Sequence, residues 1–303
     1  MRNFEDIIAR AKEAGPIRLA VAPAAEHGVL EASFMARELG IIEPILFGDE
    51  QAIRRLCEEH GLPCDAQIVG AQDDVEACRL ATQHVSGGRA DALMKGMVDT
   101  SVILKEVLNK DYGLRTGRLL SHIAVYCLAA YPRLLYITDA GMNIAPDAEA
   151  KRGILNNAIE FCHAMGLETP KVAVVSAKEK VDPHMPSTLD ARQLVEWNRE
   201  GLIPGAIVEG PFGMDNAINV DAAKMKGLSG DVAGQADLLL VPDLDAGNIL
   251  TKALTYFAGA DSAGLIIGAK RPIVLMSRAD KARVKVNSIA LAALAVRNEV
   301  SHV

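Results

Sequence analysis

The feature that most constrains this chain is an alternation that runs from end to end. Short apolar stretches rich in Val, Ile and Leu are separated by longer stretches of helical periodicity. Strands are expected at residues 17–22, 44–47, 66–69, 92–94, 122–126, 134–138, 172–176, 206–209, 238–241, 264–267 and 273–276. Helical patterns lie between most of them, for example at 50–60, 75–84, 147–165 and 187–200. In the last of these, Ser187 and Asp190 have the spacing of a capping box just after Pro186. Strands that are apolar throughout are buried on both faces, and the intervening helices supply the cover. The pattern is therefore that of βαβ units in an α/β fold: mostly parallel sheet with helices on both sides, a three-layer α/β/α arrangement. At 303 residues the chain is long enough for one large or two ordinary domains. Residues 129–133 join two strand-like runs with no helix between them, which suits a crossing from one sheet to another.

Composition removes several classes of function. The formal net charge is -7, without the basic footprint of a nucleic-acid binder. A small anion is still within reach, because a few local Arg or Lys side chains and a helix N-terminus suffice to hold one. Cys57, Cys64, Cys78, Cys127 and Cys162 are odd in number and lack CxxC spacing. They read as reduced thiols of a cytoplasmic protein, with no zinc site. Residues 1–15 carry acidic groups and an apolar stripe of Phe4, Ile7, Ile8 and Ala11, which is a surface helix and not a targeting peptide. The apolar run at 289–296 is too short to span a bilayer, so no membrane partner is expected. No Gly-x-Gly, GxxxxGK[ST] or Gly-x-Ser-x-Gly occurs, which takes the usual sequence support from nucleotide-cofactor, ATPase and serine-hydrolase readings.

Five segments have the residue types that chemistry needs, each with a plainer structural reading beside it. In 93–101, a buried strand ends at Lys95-Gly96 and a helix begins near Thr100 or Ser101. Ligands of α/β sheets sit beyond strand carboxyl ends, yet a capping hydroxyl alone accounts for the pattern. In 113–122, Arg115, Thr116, Arg118, Ser121 and His122 crowd a glycine-punctuated loop. Guanidinium forks suit phosphate, and the plainer reading is a solvated loop with His122 at a strand edge. Asp139 and Asn143 follow another strand and are good turn formers. Asp243, Asp245 and Asn248 open a helix, with Asp245 a fitting N-cap and Gly247 permitting close approach; the paired acids could also hold Mg²⁺, the less favoured reading. Finally, Ser277-Arg278 sits at a strand-to-helix junction with Asp280 close behind, where an N-cap serine and a surface arginine are the plainer reading.

Taken together and in this order, the segments resemble the phosphate acetyltransferase/phosphate butyryltransferase family over nearly the whole chain. The strongest parts are residues 241–249 and 272–278, and Lys95-Gly96, Leu114-Arg115-Thr116-Gly117 and Ser121-His122 look more like the butyryl branch than the acetyl branch. The resemblance implies two α/β domains, 1–128 plus 267–303 and 129–266, with the active site in a cleft between them. It implies transfer of an acyl group, butyryl before acetyl, between coenzyme A and inorganic phosphate. No cofactor or metal is implied, and a homodimer or larger homo-oligomer is. It assigns phosphate binding to Arg278 and assistance at the reacting carbonyl to Ser277; for the base, this chain's own residues offer Asp280 or His122. The acetyl branch places an aspartate seven residues after the serine, where this chain has Val284. Lys95, Gly96, Thr100, Arg115, Thr116, Ser121, Asp139, Asn143 and Asn248 are the expected substrate-binding residues. Two other classes stand beside this reading: a non-catalytic CoA-binding regulatory module, and an oxidoreductase of the related decarboxylating-dehydrogenase architecture.

Overall fold

The computed structural model describes residues 1–275 and 280–298. The chain packs as two compact units. One comprises Phe4–Arg118 and the described residues from 263 onward; the other is centred on Leu119–Ser262. Elements are numbered along the whole chain.

In the first unit the strands are β1 (Ile17–Ala22), β2 (Ile42–Gly48), β3 (Gln67–Gly70), β4 (Ala92–Lys95), β10 (Asp261–Ile267) and β11 (Ile273–Val274). They lie in the order β3-β2-β1-β4-β11-β10. All neighbours are parallel except β10, which runs antiparallel to β11. Leu19 stands opposite Pro44 on one side and Ala92 on the other. The register places Leu19, Ala20 and Val21 wholly out of water, as expected for a strand covered on both faces. The cover comes from α1 (Phe4–Glu13), α2 (His27–Glu38), α3 (Glu50–His60), α4 (Asp74–Ser86), α5 (Thr100–Val107) and α11 (Ala282–Arg297). Helix α4 packs on β1, β2 and β4 and against α5, whereas α11 packs on β4 and β11 and against α1 and α2. From Lys285 to Ala295 every residue of α11 is buried, the mark of a helix enclosed on all sides.

The other unit contains β5 (Ser121–Cys127), β6 (Leu135–Thr138), β7 (Lys171–Val175), β8 (Ile207–Phe212) and β9 (Leu238–Leu240) in the order β5-β6-β9-β7-β8. Its helices are α6 (Ala148–Ala164), α7 (Pro186–Arg199), α8 (Met214–Ile218), α9 (Val220–Met225) and α10 (Leu244–Tyr256). Leu135, Ile137, Ala173 and Leu239 meet Ala217, Val232 and Ala236 in its core. Both units are thus α/β with mostly parallel sheets. Among the described residues no helix is long and apolar enough to cross a membrane.

Four local expectations are corrected. Residues 129–133 do not cross between sheets: they join β5 to β6, which pair antiparallel as direct neighbours. Ser187 is not an N-cap. Helix α7 begins one residue earlier with Pro186 in its first turn and Met185 at the cap position. The Ser187 hydroxyl instead lies 2.8 Å from that of Ser176, and Asp190 pairs with buried Lys151 at 2.6 Å. Asp245 is not the cap of α10 either; Asp243 is, accepting from the Ala246 N–H at 2.8 Å. Thr100 opens α5 as its first residue, with Asp99 at the cap position.

Candidate functional site

The candidate residues of the first unit lie at the carboxyl end of β4 and beside the β10–β11 connection. Lys95 is buried, and its Nζ donates to the carbonyl oxygens of Gly96 (3.0 Å) and Val98 (2.7 Å). The ammonium thus braces the turn that leads into α5. Gly96 donates its N–H to the Ala22 carbonyl at 2.8 Å, just before a cis Ala22–Pro23 peptide. A Cβ at position 96 would lie 1.7 Å from the Pro23 oxygen, so only glycine fits there. Arg115 and Thr116 are exposed. The Thr116 hydroxyl donates to Gly268 O at 2.6 Å, and Lys270 N donates to Leu114 O at 2.8 Å. These two bonds tie the loop that carries Arg115 to the segment that enters β11. Beyond β11, Ser277 and Arg278 lie outside the described residues. Asp280 is half-buried ahead of α11, and Val284 follows in its first turn.

In the other unit four candidates are drawn together. Asp139, 3% exposed, follows a cis peptide after Thr138. Its Oδ1 accepts from the N–H groups of Gly141 and Met142 at 3.0 Å each, and its Oδ2 accepts from Asn143 Nδ2 at 2.5 Å. Asn143 Nδ2 also donates to Leu120 O at 3.0 Å, which fastens this turn to the start of β5. There the His122 carbonyl accepts from the Thr138 hydroxyl at 2.8 Å. The His122 ring lies against Gly141, where a Cβ would come within 2.9 Å of its Cγ. Ser121 is wholly buried and bonded at 3.1 Å to Asn157 Nδ2, which also holds Leu119 O at 2.8 Å. Gly247 lets the first turn of α10 sit flush on this group, since a Cβ there would meet Ala140 Cα at 2.9 Å. Asn248 is exposed on α10, and among the described residues no side-chain hydrogen bond joins it to the other four.

Sequence reasoning missed Asn157. It is a buried amide on the apolar face of α6, among Ile154, Leu155, Ala158 and Phe161. The signal was available, because a polar residue on an otherwise apolar stripe must satisfy its donors internally. The thiols are also informative. Burial raises Cys57 to about 11 and Cys78 to about 12, and it raises Cys162 further still. These three are packing residues and not nucleophiles.

A family model described as "Phosphate acetyl/butaryl transferase" matches residues 66–293. The chain is 45% identical over 300 residues to the phosphate butyryltransferase of Clostridium beijerinckii, covering 98% of this chain and 99% of that one. It is 44% identical over 293 residues to the phosphate acetyltransferase of Thermotoga maritima, covering 96% and 99%. The crystal structure of a branched-chain phosphotransacylase from Enterococcus faecalis superposes with a TM-score of 0.82 at 32% identity, covering 92% and 99%. The matched family model and the near-full-length similarity agree with the fold: the chain belongs to the phosphate acetyl/butyryl transferase family and is a phosphate acyltransferase.

Proposed function

We propose that this enzyme interconverts butyryl-CoA plus inorganic phosphate with butyryl phosphate plus coenzyme A. The supporting observation is the near-full-length similarity to phosphate butyryltransferases, at 45% and 42% identity in two Clostridium relatives. Acetyl transfer is the second reading, favoured by the 44% identity to the Thermotoga enzyme. The two differ by the volume of an apolar acyl pocket, where each methylene counts for about 1–3 kcal/mol. In the direction of thioester formation, the CoA thiol loses its proton and its sulfur attacks the acyl carbonyl. The C–O bond to phosphate then breaks, and phosphate leaves with the bonding pair. A free thiol titrates near ~8.5, so a base assists, and Asp280 or His122 takes that role. Negative charge on the carbonyl oxygen is met by Ser277 and backbone N–H groups. The phosphate is met by Arg278 and Arg115. Lys95, Gly96, Thr100, Thr116, Ser121, Asp139, Asn143 and Asn248 are the substrate-binding residues of this reading. The reaction needs no metal and no cofactor beyond its CoA substrate. The enzyme works in the cytoplasm as a homodimer or larger homo-oligomer.

The test is thiol release from butyryl-CoA, followed with a thiol reagent, with and without inorganic phosphate. Release that depends on phosphate and runs faster than with acetyl-CoA is expected. Faster turnover of acetyl-CoA would select the second reading, and no release from a folded sample would leave a CoA-binding module. Replacing Ser277 by alanine is expected to lower turnover by about 10²–10³.

A further inference from the structure

The buried helix α11 carries a lysine that the scheme above does not use. Lys285 is only 8% exposed, yet its ammonium makes no hydrogen bond and no ion pair among the described residues. It points at the first turn of α2, with Nζ 2.7 Å from the place a Cβ on Gly28 would occupy. A buried ammonium with no acceptor costs several kcal/mol, so the gap in front of it calls for a ligand.

The facing surface supplies the rest of a binding site. Helix α2 is 12 residues long, and its N-terminus carries partial positive charge. The His27 and Gly28 N–H groups that open it have no acceptor among the described residues. Gly28 has no side chain to block them, although glycine inside a helix is disfavoured against alanine. One acidic group borders the gap. Glu26 caps the helix, its Oε2 accepting from Val29 N at 2.7 Å. Both carboxylate oxygens lie 3.4 Å from the same absent Cβ, and Oε1 accepts no bond among the described residues.

Three donors and one fixed carboxylate suit a particular anion. A fully ionised oxyanion would be repelled by Glu26. Inorganic phosphate keeps a proton near neutral pH, and a phosphomonoester, whose second pKa is about 6, can take one up beside Glu26; either then donates its P–OH to Glu26 Oε1. Its bare oxygens then accept from Lys285 and the helix N–H groups. We propose that Glu26, Gly28 and Lys285, with the first turn of α2, form a binding site for a protonated phosphate group. For the identity of the ligand this rests on the acyl-transfer reading, which offers two such groups: inorganic phosphate, and the 3′-phosphomonoester of coenzyme A.

Equilibrium binding by calorimetry, with no turnover involved, tests the site separately from the reaction. Wild type is expected to bind inorganic phosphate or CoA, and Gly28→Ala to weaken that binding about tenfold or more. This variant fills the gap with a methyl group while improving helix propensity, so a thermal melt is expected to show it folded. Lys285→Met is expected to act in the same direction. If the variants weaken inorganic phosphate, the site holds that substrate. If they weaken CoA but not dephospho-CoA, it holds the 3′-phosphate. With inorganic phosphate in the site, sulfate, which carries no proton, is expected to bind at least about tenfold more weakly to wild type. Glu26→Gln is expected to remove that discrimination. Undiminished binding of both phosphate and CoA by Gly28→Ala would overturn the proposal, as would a site holding inorganic phosphate that bound sulfate equally well.

Discussion

At the scale of single residues, contacts that look ordinary in sequence fix whether the site can exist. Gly96 is one, because the Pro23 oxygen occupies the space of its missing side chain. Gly96→Ala is expected to destabilise the protein by about 3 kcal/mol, as overpacking does against rigid backbone, read from the midpoint of urea unfolding. Asp91 is another. It precedes β4 and receives the Arg18 N–H at 2.8 Å and the Arg18 guanidinium at 2.7 and 3.1 Å. Burial pushes its carboxyl up, but the side-chain and backbone hydrogen bonds from Arg18 outweigh this and hold it below the ordinary value. A carboxyl depressed in the folded state adds stability above the unfolded pKa of about 3.9, lost as pH falls through the folded value. Below about pH 4 the wild type is therefore expected to lose stability more steeply than Asp91→Asn, measured as urea midpoints across pH. Lys95 shows the limit of reading residues singly. A lysine at a strand end suggests an anion, while its ammonium holds two carbonyls of its own turn. Lys285 shows the opposite limit, since a lysine in an apolar helix gives no hint of what faces it until α2 is in place.

At the scale of elements, the strands were legible because each is a run of apolar residues buried on both faces. Strand β1 and helix α3 fall on the expected 17–22 and 50–60, and the other strands lie within a few residues of expectation. Caps were less legible, because adjacent acceptors compete and small backbone differences choose between them. Asp243 and Asp245 both precede or open α10, yet only Asp243 has extended backbone and an acceptor aimed at Ala246 N. Asp243→Ala is expected to cost about 1 kcal/mol, and Asp245→Ala much less, by thermal melts of the two variants. Ser187 was misread for a related reason: proline at the first helical position sets the helix start without a hydroxyl cap. The β5–β6 hairpin escaped notice because residues 128–134 lack the short Asn-Gly type of turn that announces such a pair. The turn at Asp139 was recognisable from its residue types. Its bond to Leu120 through Asn143 is a long-range contact that no local pattern contains.

At the scale of the whole molecule, the two units differ in how the chain supplies them. One is essentially a continuous stretch, whereas the other is assembled from the beginning and the end of the chain. Residues 119–262 expressed alone are therefore expected to fold, with a cooperative melt followed by circular dichroism. Residues 1–118 expressed alone are expected to lack one, because β4 is left without its neighbour β11 and α1 and α2 without α11. The placement of β11 also bears on how the protein is made. As the chain leaves the ribosome, the open edge of β4 and the apolar backs of α1 and α2 wait through the synthesis of the entire other unit. They are covered only by β11 and α11, which come later in the chain. An exposed strand edge of this kind invites pairing with other chains. A chain that stops short of β11 and α11 therefore leaves that edge and those helix faces uncovered.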